Sequence, residues 1–209
     1  MRRILVANPK GGCGKSTLAV HLASWFARND QIVYLGDMDR QQSSRHWLES
    51  RPSNISVIRH WETRDDDFKA LPKNCDVAIL DSPAGLHGKS LKSVLNEVEK
   101  IVVPVSSSRF DMLATMDFFE ELANTKAVRK ERVDIGVVGM RVDPRTHAYQ
   151  QLLEFLSQFD LPVITCISQS QSYLNAVESS TTIFDKGTLT EAVANQWRPL
   201  LDWLVSRRC

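Results

Sequence analysis

The chain has 209 residues, 43% of them hydrophobic and 24% charged, a balance that fits one globular domain with a buried core and argues against disorder. The formal net charge is +1, so bulk charge points to no nucleic-acid or membrane partner, and any such surface has to be a local patch. Cys13, Cys75, Cys166 and Cys209 form no Cys-x-x-Cys pair and the five histidines are scattered, which speaks against zinc and iron–sulfur frameworks and suggests a reducing compartment.

In chain order, short apolar runs occur at Ile4–Ala7, Ile32–Leu35, Ile55–Ile58, Val77–Leu80, Ile101–Val105, Ile135–Met140 and Leu161–Ile164. Between them, Leu18–Phe26, Met112–Leu122 and Tyr149–Phe159 carry apolar residues at three- and four-residue spacing, which predicts helices. Near-continuous apolar strands alternating with helices predict an α/β fold. Its three layers are a mostly parallel central sheet with helices on both faces. The charge run Arg64–Asp67 reads as a solvated helix start. No linker or repeat divides the chain, so residues 1–209 are expected to form a single domain. No stretch approaches the roughly 20 apolar residues of a membrane span, and Asn8-Pro9-Lys10 ends the N-terminal run too early for a signal peptide. A cytoplasmic location is the expectation.

After the first strand the chain reads Lys10-Gly11-Gly12-Cys13-Gly14-Lys15-Ser16-Thr17, followed by a helical pattern. Strand, glycine-rich turn and helix are the context of a phosphate-binding loop. The glycines let backbone N–H groups curl around phosphate oxygens, and the helix start adds its positive dipole end. Lys15 is expected to reach the β- and γ-phosphates, and the Ser16 hydroxyl to ligate Mg²⁺. The ordinary pattern needs glycine at position 9. Here Pro9 stands there, and a second lysine, Lys10, opens the loop.

This loop resembles the deviant Walker A motif of the ParA/MinD family of ATPases. In that family the extra lysine reaches across an ATP-sandwiched homodimer. The resemblance therefore implies that Lys10 stabilises γ-phosphate charge in the partner's site, as an arginine finger does.

Leu35-Gly36-Asp37-Met38-Asp39-Arg40-Gln41 resembles the family's switch I, with Arg40 in place of the usual proline. By that resemblance Asp39 positions the attacking water and Asp37 supports the magnesium shell. Val77–Asp81 followed by Ser82-Pro83-Ala84-Gly85 resembles a Walker B strand leading into switch II, which implies that Asp81 holds Mg²⁺ through water. Met140-Arg141, before Val142-Asp143-Pro144-Arg145-Thr146, falls in the region that lies near the adenine in relatives. The chain looks most like small ParA proteins of the ParF type or orphan cargo-positioning ParAs.

The resemblance implies ATP and Mg²⁺ as cofactors, a nucleoid-associated ATP dimer that binds DNA non-specifically, and a ParB-like or cargo-adaptor partner that stimulates hydrolysis. Candidate DNA contacts are Arg141, Arg145, Lys186 and Arg198, with Lys126, Arg129, Lys130 and Arg132 as further basic positions. Composition reveals no basic face, since six basic residues from Arg141 onward stand against seven acidic ones. The alternative is a MinD-like membrane-associated ATPase. Trp197, Leu200, Leu201 and Leu204 recur at helical spacing near Arg207 and Arg208. Such a stripe either lies on a membrane or docks on the core, and docking is the expectation. A third reading, a metabolic ligase of the same fold, finds no motif for a substrate pocket. Cys13 sits at a helix N-terminus, which could lower its pKa, although a small tolerated side chain is the simpler reading.

Overall fold

The computed structural model describes residues 1–64, 67–68, 70–187 and 189–206. All seven apolar runs enter one parallel sheet. Its strands are β1 (Arg2–Val6), β2 (Val33–Asp37), β3 (Ile58–Trp61), β6 (Val77–Asp81), β7 (Lys100–Ser106), β8 (Asp134–Val142) and β9 (Val163–Ser168). Their order is β3-β2-β6-β1-β7-β8-β9. Two strands start two or more residues later than expected. Val57 is 64% exposed, so β3 slides on to Ile58–Trp61, an edge strand that tolerates the exposed Arg59 and His60. Pro162 has no N–H to donate, so β9 begins at Val163, while the Pro162 carbonyl accepts from Val137.

The helices are α1 (Lys15–Arg28), α2 (Ser43–Glu49), α3 (Gly88–Leu95), α4 (Arg109–Asn124), α5 (Lys126–Arg129), α6 (His147–Leu156), α7 (Gln171–Glu178) and α8 (Glu191–Val205). One face of the sheet buries Leu18, Leu22 and Phe26 of α1 with Trp197, Leu200 and Leu204 of α8. The other face buries Leu91 of α3, Phe118 and Leu122 of α4, and Leu152 of α6. Two core layers on one sheet are the three-layer fold expected from the alternation.

The charge run at 64–67 does not begin a helix. Thr63–Arg64 (β4) pairs antiparallel with Asp67–Phe68 (β5), while Asp65 and Asp66 lie outside the described residues. The apolar stripe of α8 is docked rather than free: Trp197, Leu200 and Leu204 are at most 1% exposed. The buried Lys100 ammonium donates to the Trp203 carbonyl and to the Ser206 carbonyl (3.1 Å), placing a cation at the C-terminal end of α8. Arg207 and Arg208 lie outside the described residues. No described helix is long and apolar enough to cross a membrane.

Topology assembles the site. From β1 the chain crosses to β2 on one side, and from β6 it crosses to β7 on the other. A crevice opens at such a reversal, beyond the carboxyl ends of the strands. Register then places Asp81 beside Val6 of β1 and beside Asp37 of β2. Three motifs far apart in sequence therefore end at one edge.

Candidate nucleotide site

The loop after β1 is built around Asn8, a fully buried residue whose role the motif did not reveal. Its amide donates to Pro104 O (2.9 Å) and Thr115 Oγ1 (3.0 Å), and its Oδ1 accepts from Lys10 N (2.9 Å). Gly12 and Gly14 take φ of +80° and +97°, which L side chains rarely adopt. Met140 Cε fills the space beside Gly14, 3.1 Å from where a Cβ would stand. The Pro9 carbonyl accepts from Gly85 N (2.8 Å), tying the loop to the switch II segment.

The two lysines differ in place. Lys15 is buried, and its Nζ donates to Lys10 O at 2.7 Å. The Lys10 side chain is 42% exposed, with Nζ 3.9 Å from Asp111 Oδ1. Asp111 also accepts from the Ser106 hydroxyl. Cys13 is buried, and its thiol donates to Lys10 O (3.3 Å). Burial raises its pKa against the opposing Lys15 charge, so the helix end does not make it a ready thiolate.

The two strand-end aspartates are treated differently. Asp37 is nearly buried and well used. Its Oδ1 accepts from Asp39 N (2.9 Å), and its Oδ2 accepts from Ser44 N (2.9 Å), Ser44 Oγ (2.8 Å) and Arg45 N (3.1 Å). It thus holds the turn that carries Asp39 and the first turn of α2. Ser44 is a second participant absent from the motif reading. Asp81 is 1% exposed, yet neither of its oxygens has a hydrogen-bond partner. Burial first, and then the Asp37 charge, push its pKa up to about 7, against the nearby Ser16 and Ser44 hydroxyls and Lys15. A buried carboxylate without donors, beside the Ser16 hydroxyl, is the donor set of a hard cation such as Mg²⁺. The described residues hold no cluster of three or more His, Cys, Asp or Glu fit for a metal.

A cleft of about 720 Å³ opens here, bounded by Gly11, Gly12, Gly14, Lys15, Ser16, Thr17, Asp39, Arg40, Pro83 and Arg141 among others. That volume lies in the range of small-molecule and cofactor sites. A smaller hollow of about 160 Å³ shares Thr17 and Arg141 with it and adds Met140, Ile167, Tyr173 and Trp197. Arg141 sits at φ +56°, at a register shift between β8 and β9, so its side chain borders both spaces. The motif residues from Gly11 to Thr17, with Asp39, Met140 and Arg141, are thus brought together.

The basic candidates are dispersed. Arg141, Arg145, Lys186 and Arg198 are exposed, but Lys186 precedes α8, Arg198 is on α8, and Arg145 is paired with Asp143 at 2.8 Å. Lys126, Arg129, Lys130 and Arg132 are also exposed, at the end of α4 away from Lys10.

Residues 4–183 match the model of the CobQ/CobB/MinD/ParA nucleotide binding domain. The chain is 23% identical over 208 residues to the maintenance of carboxysome distribution protein A of Halothiobacillus neapolitanus, covering 97% of this chain and 95% of that protein. Its fold matches apo McdA of Cyanothece (TM-score 0.78, 15% identity, 99% of this chain and all of the other). It also matches a Borrelia burgdorferi putative plasmid partition protein bound to AMPPNP (TM-score 0.72, 18% identity, 96% and 97%). With the family model spanning most of the sequence and the loop, the strand-end aspartates and the cleft assembled at one sheet edge, the chain belongs to the CobQ/CobB/MinD/ParA nucleotide binding domain family.

Proposed function

We propose that this protein is a ParA-type switch ATPase. It binds ATP with Mg²⁺ in the cleft, pairs with a second copy over the two nucleotides and binds DNA non-specifically in that state. Partner-stimulated hydrolysis then positions a plasmid, a chromosomal region or a protein cargo. The observation that carries this reading is the placement of Lys10. It opens the phosphate loop, but its half-exposed ammonium points to Asp111 and does not line its own cleft. A cation so placed is available to a nucleotide held by a facing copy.

Within one copy, the loop N–H groups and Lys15 grip the β- and γ-phosphates, with Lys15 exchanging the Lys10 carbonyl for phosphate oxygens. Ser16 and Asp81 would hold Mg²⁺, directly and through water, and the cation when bound would supply charge neutralisation to the phosphates. Asp37 keeps the switch turn in place, and Asp39 accepts a hydrogen bond from the water that attacks the γ-phosphorus. Arg141 and Met140 border the base side. The carboxysome-distribution relative supports a protein or organelle cargo, and the partition-protein fold supports DNA as cargo. Burial of the α8 stripe favours this reading over a MinD-like membrane anchor.

The test is light scattering after size exclusion, with Mg·ATP, Mg·ADP or no nucleotide, followed by a DNA mobility shift. ATP-specific dimerisation with ATP-specific DNA binding is expected. A monomer in all three conditions, or DNA binding indifferent to nucleotide, would overturn it.

A further inference from the structure

Away from the cleft, Arg51 and Asp185 form a buried ion pair. Nη2 lies 2.9 Å from Oδ1 and Nη1 lies 3.0 Å from Oδ2, and the two side chains are 5% and 2% exposed. The rest of the guanidinium is also engaged. Nη2 donates to Ser24 Oγ (3.2 Å), Nε donates to Ser56 O (3.2 Å), and the group lies 4.9 Å over the Trp47 ring. Asp185 in turn accepts from Thr182 N (2.8 Å), with the hydroxyls of Thr182 and Ser24 within 2.9 Å.

Three elements meet here. Ser24 is on α1, the helix of the phosphate loop. Trp47 is on α2, and Arg51 follows the Ser50 that caps it. Asp185 belongs to the stretch before α8. A buried ion pair is poor evidence for stability, because desolvation offsets most of its attraction and an apolar pair of similar volume would pack as well. A two-pronged guanidinium–carboxylate fork instead fixes distance and angle.

What the fork fixes is α2. This helix has only seven residues, too few to hold itself in place. Asp37 holds its first turn through Ser44 and Arg45. Asp39 lies in the short span between β2 and α2, its N–H on Asp37 and its carbonyl accepting from Gln42 N (3.1 Å). One end of that span is set by the sheet and the other by α2. The far end of α2 is set by Arg51.

We infer that Arg51 is a positioning residue for ATP hydrolysis. Its fork on Asp185, with Ser24, seats α2 against the phosphate-loop helix and so keeps Asp39 at the place where it orients the attacking water. Arg51 is not among the residues lining the cleft, so it acts through α2 and not on the nucleotide. The inference rests on the ATPase reading above.

Arg51→Lys keeps the charge and loses the fork, and Asp185→Asn keeps the shape and loses the charge. Each is compared with the parent in Mg·ATP affinity by a fluorescent ATP analogue, in single-turnover hydrolysis and in thermal unfolding. Displacement of a water-orienting group by about 1 Å costs on the order of tenfold to a hundredfold in rate, so kcat should fall at least about tenfold with KM within about twofold. A purely structural pair would lower Tm without splitting kcat from KM. The double variant Arg51→Met/Asp185→Leu restores packing without the fork. It should fold and stay slow, and it decides the matter if both single variants unfold. Parental kcat in a folded variant, or kcat and affinity falling together in step with Tm, overturns the inference. A parent chain that binds Mg·ATP but never hydrolyses it overturns the ATPase reading itself.

Discussion

The Lys15 ammonium donates to the backbone carbonyl of Lys10 at 2.7 Å, while the Lys10 side chain turns away to Asp111. The two loop lysines thus have different partners, and they should fail differently. Lys15→Gln removes the charge proposed to grip the phosphates, so nucleotide binding should fall by about a hundredfold or more, equivalent to roughly 3 kcal/mol. Lys10→Gln should leave monomer binding within a few-fold and abolish dimerisation and hydrolysis. Equilibrium binding read beside light scattering separates the two. Equal losses of binding in both variants would refute the division.

Asp39→Ala should bind Mg·ATP and accumulate as the dimer, with hydrolysis down by about a hundredfold or more, the scale of general-base losses. Radiolabelled single-turnover assays check this. Normal hydrolysis by the variant would remove Asp39 from the mechanism.

The proposed cation role of Asp81 implies a stability cost when no cation is bound. A buried carboxylate with no hydrogen bond is costly when charged, and burial has pushed its pKa from 3.8 up to about 7. Asp81→Asn should therefore stabilise the nucleotide-free protein at pH 8 by up to about 4 kcal/mol and remove the extra stabilisation by Mg·ATP. Thermal unfolding with and without Mg·ATP reads both effects. A variant that is less stable when empty would contradict the assignment.

His21 shifts in the opposite sense. It is fully buried and stacked on Trp197, and its Nδ1 lies 2.7 Å from Thr17 O. Burial pushes its pKa down to about 4. The unfolded chain takes up that proton near pH 6.5 and the native chain only near 4, so stability from neutral His21 is complete above 6.5 and lost as pH falls to 4. Asp81 works the other way: the native chain holds its proton up to about 7 and the unfolded one only to 3.8, so its penalty disappears as pH falls. The two effects offset each other in the parent. In Asp81→Asn that offset is gone, and stability should drop by about 3 kcal/mol from His21 between pH 6.5 and 4, with the lowered pKa of His60 acting in the same direction. Denaturant titrations across that range test it, and a flat profile in the variant would refute it.

Ending the chain at Gln196 deletes Trp197, Leu200, Leu201 and Leu204, all of them core residues. The shortened chain should lose cooperative unfolding, and Trp197→Ala alone should cost about 3–5 kcal/mol. A folded truncated protein that had merely lost binding to anionic vesicles would revive the membrane reading.

Much of the site was legible in short stretches. The loop from Lys10 to Thr17 and the aspartates at strand ends are local patterns, because phosphate binding needs contiguous backbone N–H groups and a strand projects its last residue into the crevice. Asn8 and Ser44 were not legible. Asn8 acquires its role only where the turn after β1 meets Pro104 and Thr115, 96 and 107 residues on, and Ser44 only where α2 folds back on Asp37. The short strands β4 and β5 were missed because a charge run reads as a solvated helix start.

The sequence by itself determined the phosphate loop with its extra lysine, the alternation of strands and helices, and so the fold class and family. Tertiary structure alone decided how the labour is divided. Asp37 and Asp81 look alike in sequence, but Asp37 accepts hydrogen bonds from Ser44 while neither Asp81 oxygen has a hydrogen-bond partner. Arg51 and Asp185, 134 residues apart, become one fork only when α1, α2 and the stretch before α8 pack together. The reason is physical: periodicity and loop chemistry act between neighbours along the chain, whereas desolvation and hydrogen-bond partnership depend on which groups folding brings within about 3 Å.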